Sequence, residues 1–273
     1  MTLQGKLGFI GGGRMGEALI QGILKSGITA AENILVTDPV AERRVFLQNT
    51  YAVKAFDSSD DTAIWSECRT VILAVKPQIM KDVLLGAKDR INDSHLLISI
   101  AAGIQSSFID VNLAGCNCRI IRVMPNTPAF VLEAASALSQ GPRATQDDLN
   151  TAATIFNSIG KSIILEEKYF DAVTGLSGSG PAYVFTFIEA LIDAGLKVGL
   201  NRPDAELLVM QTVLGSIKLA MSSKEHPAQL RAMVTSPGGT TIAGLHELEA
   251  AGFNGIIMDA VEAATERSKE LGK

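Results

Sequence analysis

The sequence predicts an α/β N-terminal domain with a mostly parallel sheet, followed by an all-α dimerisation domain. Three features lead to this prediction: short β-rich runs alternate with helical patterns in the first half, a glycine-rich turn follows the first run, and only helical patterns follow Leu165. Alternating strands and helices are typical of βαβ units, which build parallel sheets. We expect the domains to span 1–166 and 167–273, because the charged residues Glu166 and Glu167 end the last apolar run.

Eight strands are predicted, and several are continuous apolar runs of the kind that a parallel sheet covers on both faces. In chain order they are Lys6–Ile10, Asn33–Thr37, Val53–Phe56, Thr70–Val75, Leu96–Ile100, Arg119–Met124, Ala135–Leu138 and Ser162–Leu165. The last two are expected at the edge of the sheet. After the first strand, Met15, Leu19 and Ile23 recur at helical spacing, which predicts a helix that buries one face on the sheet.

In the second half, the segment from Pro181 to about Leu200 is apolar on nearly every side. Its one polar stripe is formed by Glu189, Asp193 and Lys197. A helix of this kind is normally enclosed, and a domain of only about 110 residues encloses it with a second subunit, so we expect a homodimer. The stripe is interpreted as a solvated or salt-bridged edge, in preference to a catalytic carboxylate pair.

Composition narrows the class of function. The chain has 273 residues, of which 47% are hydrophobic, and a net charge of -5, so it can build a real core but offers no basic field for nucleic acid or anionic lipid. The charges within the apolar stretch argue against a membrane span, and no targeting pattern precedes the first strand, so we expect a cytoplasmic protein. The odd count of cysteines predicts no disulfide framework, and no His or Cys cluster predicts a metal.

The strongest local motif is G-x-G-x-x-G at Gly11, Gly13 and Gly16, placed between the first strand and its helix. There the first glycine permits a tight turn, the second lets the backbone approach a pyrophosphate, and the third allows close helix packing. The helix start at Arg14 and Met15 supplies backbone N–H groups for the phosphates. This context predicts a Rossmann-type domain that binds NAD(P)H, with a ligand-free glycine turn as the alternative.

The residues after the second strand give conflicting signals about the cofactor. Asp38 stands where an acidic residue usually accepts hydrogen bonds from the adenosine ribose, which favours NADH. Arg43 and Arg44 follow closely and have the chemistry to bind the extra phosphate of NADPH. Since an exposed helix face explains the arginines equally well, the sequence leaves the choice between the two cofactors open.

Ligands of open α/β sheets lie beyond the carboxyl ends of the strands, so the residues after each strand are candidates for the nicotinamide site. Small residues permit close approach of a flat ring, and an amide side chain can hydrogen-bond the carboxamide. The candidates are Ala74, Val75, Lys76 and Pro77 after the fourth strand, Ala101, Ala102 and Gly103 after the fifth, and Asn126 after the sixth. Each has a purely structural alternative, such as a proline that begins a helix.

Five segments in their order along the chain resemble the pyrroline-5-carboxylate reductase family. They are AVKPQIM at Ala74 to Met80, SIAAGI at Ser99 to Ile104, RVMPNTPA at Arg122 to Ala129, GLSGSGPAYVF at Gly175 to Phe185, and HPAQLRAMVTSPGGTTI at His226 to Ile242. The resemblance spans essentially the whole chain. It implies reduction of 1-pyrroline-5-carboxylate to L-proline with NAD(P)H, a helical domain that interlocks two subunits, and rings of dimers up to a decamer.

The resemblance also implies a substrate site between the nicotinamide and the SPGGTT loop of the partner subunit. Carried over by position, Thr241 would donate or relay a hydrogen bond at the imine nitrogen. Lys76 is expected to shape the potential near the nicotinamide because it follows the fourth strand, with a surface charge as the alternative. The carboxylate would be held at Ser236, Gly238, Gly239 and Thr240. Two glycines before a helix start expose backbone N–H groups that suit an anion, although a capped helix start is the plain structural alternative.

Two other functions remain to be compared with the reductase. The first is a hydroxyacid dehydrogenase, a class that resembles this architecture but uses a lysine on a helix of its helical domain; the stretch from Gly175 to Leu191 contains no lysine. The second is a sensor that binds NAD(P)H without turnover. The scattered histidines His95, His226 and His246 are interpreted as structural, with His226 at a helix start.

Overall fold

In the computed structural model, which describes residues 3, 5–58 and 61–272, the chain forms two compact units. One contains the chain as far as Ser179 together with a segment that begins at Ala264, and the other is Gly180–Ala263. The sheet ends at Ile164, close to our division after residue 166, while compactness groups 167–179 with the sheet. The described chain after Ile164 contains no strand, as the sequence predicted.

The first unit is built on a sheet of eight strands in the order β3-β2-β1-β4-β5-β6-β7-β8. All neighbours are parallel except β6 and β7, which are antiparallel. The strands are β1 Lys6–Ile10, β2 Ile34–Thr37, β3 Lys54–Phe56, β4 Cys68–Leu73, β5 Leu96–Ser99, β6 Arg119–Met124, β7 Ala134–Gln140 and β8 Gly160–Ile164. The order of the first six is that of a Rossmann-type sheet, with the crevice for ligands between β1 and β4.

Helices of this unit cover the two faces of the sheet. They are α1 Arg14–Lys25, α2 Ala41–Tyr51, α3 Thr62–Glu67, α4 Met80–Ala87, α5 Ser106–Asn112, α6 Gln146–Phe156 and α7 Phe170–Val173, which a π-helical turn at Thr174–Gly178 extends. One buried cluster contains Phe9, Leu19 and Phe156, and the other contains Trp65 and Leu84. The inner strands are therefore covered on both faces, which explains their continuous apolar runs, whereas the edge strand β8 leaves Ile163 and Ile164 exposed.

Strand bounds differ from the sequence prediction by up to two residues, with the largest shift at β4. This strand begins at Cys68, which pairs with Lys6, and ends at Leu73 rather than at Val75. Ala74 and Val75 lie in the turn that follows, and the N–H of Ala74 donates the last hydrogen bond of the ladder to the carbonyl of Ile10. The shift places both residues among the loops that the sheet presents to a ligand.

The second unit is helical and unusually apolar on its outside. The helices are α8 Gly180–Lys197, α9 Arg202–Ser222, α10 Pro227–Met233, α11 Thr240–Ala250 and α12 Phe253–Leu271, whose last turns belong to the sheet unit. Leu207 of α9 is 69% exposed and Met221 is 74% exposed. By length and composition α9 is also the one described helix that could cross a membrane. One such helix is weak evidence for a membrane span. Apolar surface of this kind is what an association through helices requires.

Candidate functional site

The glycine turn between β1 and α1 has the geometry that a dinucleotide requires. Gly11 has φ +101°, and a Cβ there would lie 2.6 Å from the carbonyl oxygen of Ala74. A Cβ on Gly16 would lie 2.8 Å from the carbonyl oxygen of Gly11, so the helix packs directly on the turn. Gly13, by contrast, is exposed and faces open space. Two glycines are thus needed by the fold, while the third leaves room for a ligand.

The start of α1 offers free backbone donors at this open position. Gly13 is the N-cap residue and makes no side-chain cap, and the helix begins at Arg14. The N–H groups of a first helical turn have no partner within the helix and lie at its positive end, so they suit a pyrophosphate. Arg14 is exposed with its guanidinium 4.7 Å from the centre of the Phe130 ring, and Met15 is half-buried. These residues fit the phosphates of a dinucleotide.

Asp38 follows β2 and is held rigidly beside the glycine turn. Its Oδ2 accepts a hydrogen bond of 2.9 Å from Gly12 N–H, and its Oδ1 accepts one of 2.9 Å from Val40 N–H. The side chain is buried, with 8% of the residue exposed. The carboxylate therefore stands in a fixed position at the carboxyl end of β2, where the adenosine ribose of a dinucleotide lies.

The two arginines of α2 turn back toward the same turn. Arg43 donates to the carbonyls of Gly12 and Gly13 and forms an ion pair with Glu17 at 2.5 Å. Arg44 forms an ion pair with Asp57 at 2.7 Å. Burial and the hydrogen bond to Glu17 raise the pKa of Tyr51, so its phenol stays protonated and donates to Glu17 at 3.0 Å.

The loops after β4 and β5 lie at the same edge of the sheet as the glycine turn, because all three strands are parallel neighbours. After β4, Lys76 is exposed, and Pro77 opens the short 3-10 turn Pro77–Ile79. After β5, Ala101 is buried, whereas Ala102 is exposed. Gly103 has φ +75°, which favours glycine. Small or exposed residues therefore border the crevice on this side.

Asn126, the candidate after β6, has two partners inside the protein. Its Nδ2 donates to the carbonyl of Ser177 at 3.1 Å, and its Oδ1 accepts from Ala135 N–H at 2.9 Å. The amide thereby fastens the loop after β6 to the start of β7 and to the π-helical turn. The structure thus gives Asn126 a structural role, and its contact with the cofactor stays a prediction.

The SPGGTT loop lies in the helical unit and leads into α11. Gly239 is the N-cap of α11, makes no side-chain cap, and donates its N–H to the carbonyl of Ser236 at 3.1 Å. Gly238 has φ +66°. Ser236 and Thr240 are exposed, and Thr241 is half-buried. The loop thus presents hydroxyl groups and the open N-terminus of an eleven-residue helix, which is a suitable place for a carboxylate.

Sequence reasoning missed an ion pair between a buried arginine and a half-buried glutamate, which joins elements of the first unit. Arg122 of β6 is 5% exposed and lies 3.0 Å from Glu167, which also accepts from the N–H and hydroxyl of Ser106 at the start of α5. The Arg122 guanidinium lies 4.8 Å from the centre of the Phe170 ring. The single available signal was an arginine within an apolar strand, since such a residue requires a partner when it is buried.

Two of the three histidines that we interpreted as structural, His95 and His226, make contacts within the fold. His95 is buried, its Nδ1 accepts from Asn92 N–H at 3.0 Å, and its Nε2 lies 3.0 Å from the carbonyl oxygen of Trp65. His226 is the N-cap of α10 and accepts from Ala228 N–H. Among the described residues no group of His, Cys, Asp or Glu is arranged to hold a metal ion.

Two family models match the chain. The model described as "NADP oxidoreductase coenzyme F420-dependent" matches residues 6–103, and the model described as "Pyrroline-5-carboxylate reductase dimerisation" matches residues 167–271. A pyrroline-5-carboxylate reductase of Methanosarcina acetivorans is 47% identical over 269 residues, which are 98% of each chain. The chain belongs to the pyrroline-5-carboxylate reductase family. The resemblance predicted from the sequence is therefore confirmed.

Solved structures of pyrroline-5-carboxylate reductases agree with this assignment. The enzyme of Coxiella burnetii superposes with a TM-score of 0.92 at 34% identity, over 99% of this chain and all of the other. The Plasmodium falciparum pyrroline carboxylate reductase, solved with NADP bound, superposes with a TM-score of 0.88 at 37% identity over the full length of both chains. The Rossmann-type fold and the helical dimerisation domain predicted for this family member are both confirmed.

Proposed function

We propose that this protein reduces 1-pyrroline-5-carboxylate to L-proline with hydride from NAD(P)H. The observation that carries the proposal is that the chain has two helix starts without a side-chain cap, at Arg14 and at Thr240, within a full-length match to reductases of this name. The start of α1 suits the cofactor's phosphates, and the start of α11 suits the substrate's carboxylate. The bound cofactor would supply the hydride, and a proton completes the reduction of the imine.

The protein's own residues would serve mainly to orient the two rings. Backbone N–H groups at Arg14, Met15 and Gly16 would hold the pyrophosphate, and the loops after β4 and β5 would border the nicotinamide. The N–H groups and hydroxyls of the SPGGTT loop would neutralise the carboxylate, and Thr241 would hydrogen-bond the imine nitrogen. An iminium is a good electrophile, so fixed orientation replaces a strong general acid.

The assembly follows from the helical unit. A dimerisation-family match over 167–271 supports association through the helices, so we propose a homodimer in which the SPGGTT loop of one subunit serves the cofactor site of the other. A ring of dimers up to a decamer is our proposal for the larger assembly. We propose a cytoplasmic location, with the apolar faces covered by protein and not by lipid.

The test is steady-state oxidation of NADH and of NADPH with 1-pyrroline-5-carboxylate, for the wild type and Thr241→Ala. Losing one hydrogen bond to the reacting centre is expected to lower kcat by at least about tenfold, with cofactor Kd within about twofold. Thr235→Ala is the control, because the Thr235 hydroxyl donates to the carbonyl of Arg231 at 2.7 Å and is given no contact with the substrate. Unchanged kcat in Thr241→Ala would remove this residue from the mechanism, and no turnover by wild type that binds cofactor would refute the function.

A further inference from the structure

The contacts at the end of β2 address the choice between the two cofactors. We propose that this protein selects NADH over NADPH through Asp38, with Arg43 and Arg44 withheld from the 2′-phosphate by carboxylates of their own. The proposal rests on the proposed function only for the class of cofactor. The charges and hydrogen bonds around the Asp38 carboxylate support it.

Asp38 is arranged to accept hydrogen bonds from a ribose. A carboxylate has about four acceptor positions, and the N–H groups of Gly12 and Val40 occupy two of them. The two that remain suit the ribose hydroxyls of NADH, which are donors. The 2′-phosphate of NADPH replaces one donor with an anion, which meets a buried carboxylate that cannot turn away because both oxygens are already held.

The arginines do not offset this repulsion, because each is already neutralised. Arg43 is paired with Glu17, which is itself fixed by the hydroxyl of Tyr51. Arg44 is paired with Asp57 and donates to the backbone carbonyl of Asp38 at 2.8 Å. Three carboxylates thus face two guanidinium groups, which leaves a net negative charge where the 2′-phosphate would lie.

The choice between NADH and NADPH would depend on side chains and not on the fold. The Plasmodium falciparum relative has the same fold and was solved with NADP bound. A backbone that admits the 2′-phosphate in one family member is therefore compatible with its exclusion by Asp38 in another. This comparison makes Asp38 and the partners of the two arginines the positions to change.

The experiment measures binding of NAD⁺ and NADP⁺ by calorimetry, without substrate, for wild type, Asp38→Asn and Glu42→Gln. Wild type is expected to bind NAD⁺ at least about tenfold more tightly. Asp38→Asn is expected to reduce that ratio by at least about tenfold. Glu42→Gln makes the same change of charge at an exposed position in the first turn of α2, and should leave the ratio within about twofold. Wild type that binds NADP⁺ as tightly as NAD⁺ would overturn the proposal.

A second variant tests the arginine pairing and does not alter Asp38. Glu17→Gln removes the charge that neutralises Arg43 while the carbonyls of Gly12 and Gly13 keep the guanidinium beside the turn, so binding of NADP⁺ is expected to strengthen several-fold while NAD⁺ changes by less than about twofold. An unchanged ratio of NAD⁺ to NADP⁺ affinity would refute the idea that Glu17 withholds Arg43 from the 2′-phosphate. If the wild type binds NAD⁺ more tightly than NADP⁺ but does not turn over pyrroline-5-carboxylate, the proposed function is refuted and this inference stands. If it turns over pyrroline-5-carboxylate but binds both cofactors equally, this inference is refuted and the proposed function stands.

Discussion

At the scale of single residues, two glycines of one turn have different roles: one is required by the fold and the other by the ligand. Gly11 has a positive φ and no room for a Cβ, so Gly11→Ala is expected to lower the free energy of unfolding by about 2 kcal/mol and to abolish cofactor binding. Gly13→Ala meets no protein atom within 4 Å, so it should change stability by less than about 1 kcal/mol.

Cofactor binding should nevertheless weaken at least about tenfold in Gly13→Ala, because the added methyl group occupies the space through which a pyrophosphate approaches. Urea unfolding and calorimetric titration of the two variants check this pair of expectations. Equal cofactor affinity in Gly13→Ala and wild type would show that the open face of the turn does not bind the phosphates.

Two buried thiols predict a pH dependence of stability. Burial raises the pKa of Cys68, and of Cys118, from 9.0 to about 12. Between these values the unfolded chain loses protons that the folded protein retains, so stability falls as pH rises above 9, by about 1 kcal/mol for each thiol at pH 10.

Urea unfolding at pH 8 and pH 10 tests this, with Cys68→Ala/Cys118→Ala as the comparison. The double variant starts from a lower stability because of the lost packing, but it should lose less stability between the two pH values than wild type does. An identical loss in both proteins would assign the pH dependence to other groups.

At the scale of elements, Glu167 joins β6, α5 and the turn after the sheet. Glu167→Ala leaves Arg122 buried without its carboxylate, which is expected to cost about 3 kcal/mol of stability. Glu166→Ala is the matched control, because Glu166 is paired with Lys168 on the surface and its loss should cost less than about 1 kcal/mol. Similar losses in chemical denaturation of the two variants would contradict the role given to the buried pair.

The existence and order of the strands could be predicted from the sequence, whereas their ends and their long-range contacts could not. Apolar runs and the glycine turn indicated every strand, because backbone pairing and burial on two faces leave a local pattern. The ends of the strands leave a weaker pattern: β4 ends at Leu73, and nothing in the apolar run that continues through Ala74 and Val75 marks that point. The pairing of Arg122 with Glu167 joins residues 45 positions apart, so no local pattern could indicate it.

At the scale of the whole molecule, the apolar outside of the helical unit predicts an assembly that depends on it. Leu207→Glu/Met210→Glu places two charges on α9 at positions 69% and 55% exposed, and is expected to weaken dimerisation at least about tenfold. Val111→Glu/Val131→Glu, at positions of the sheet unit that are 72% and 71% exposed, should leave dimerisation unchanged. Sedimentation of the two double variants measures their dimerisation. If the Leu207→Glu/Met210→Glu variant still forms a dimer, the interface lies elsewhere.

The division of α12 between the two units has a consequence for synthesis. The last turns of this helix belong to the sheet unit, where Ser268 is buried and donates to Asp171 at 2.7 Å. A ribosome therefore delivers all of the helical unit before it delivers the segment that completes the sheet unit. Because this segment follows the helical unit in the chain, Asp171 stays uncovered during synthesis until residue 268 emerges, while all of the helical unit is already available to fold.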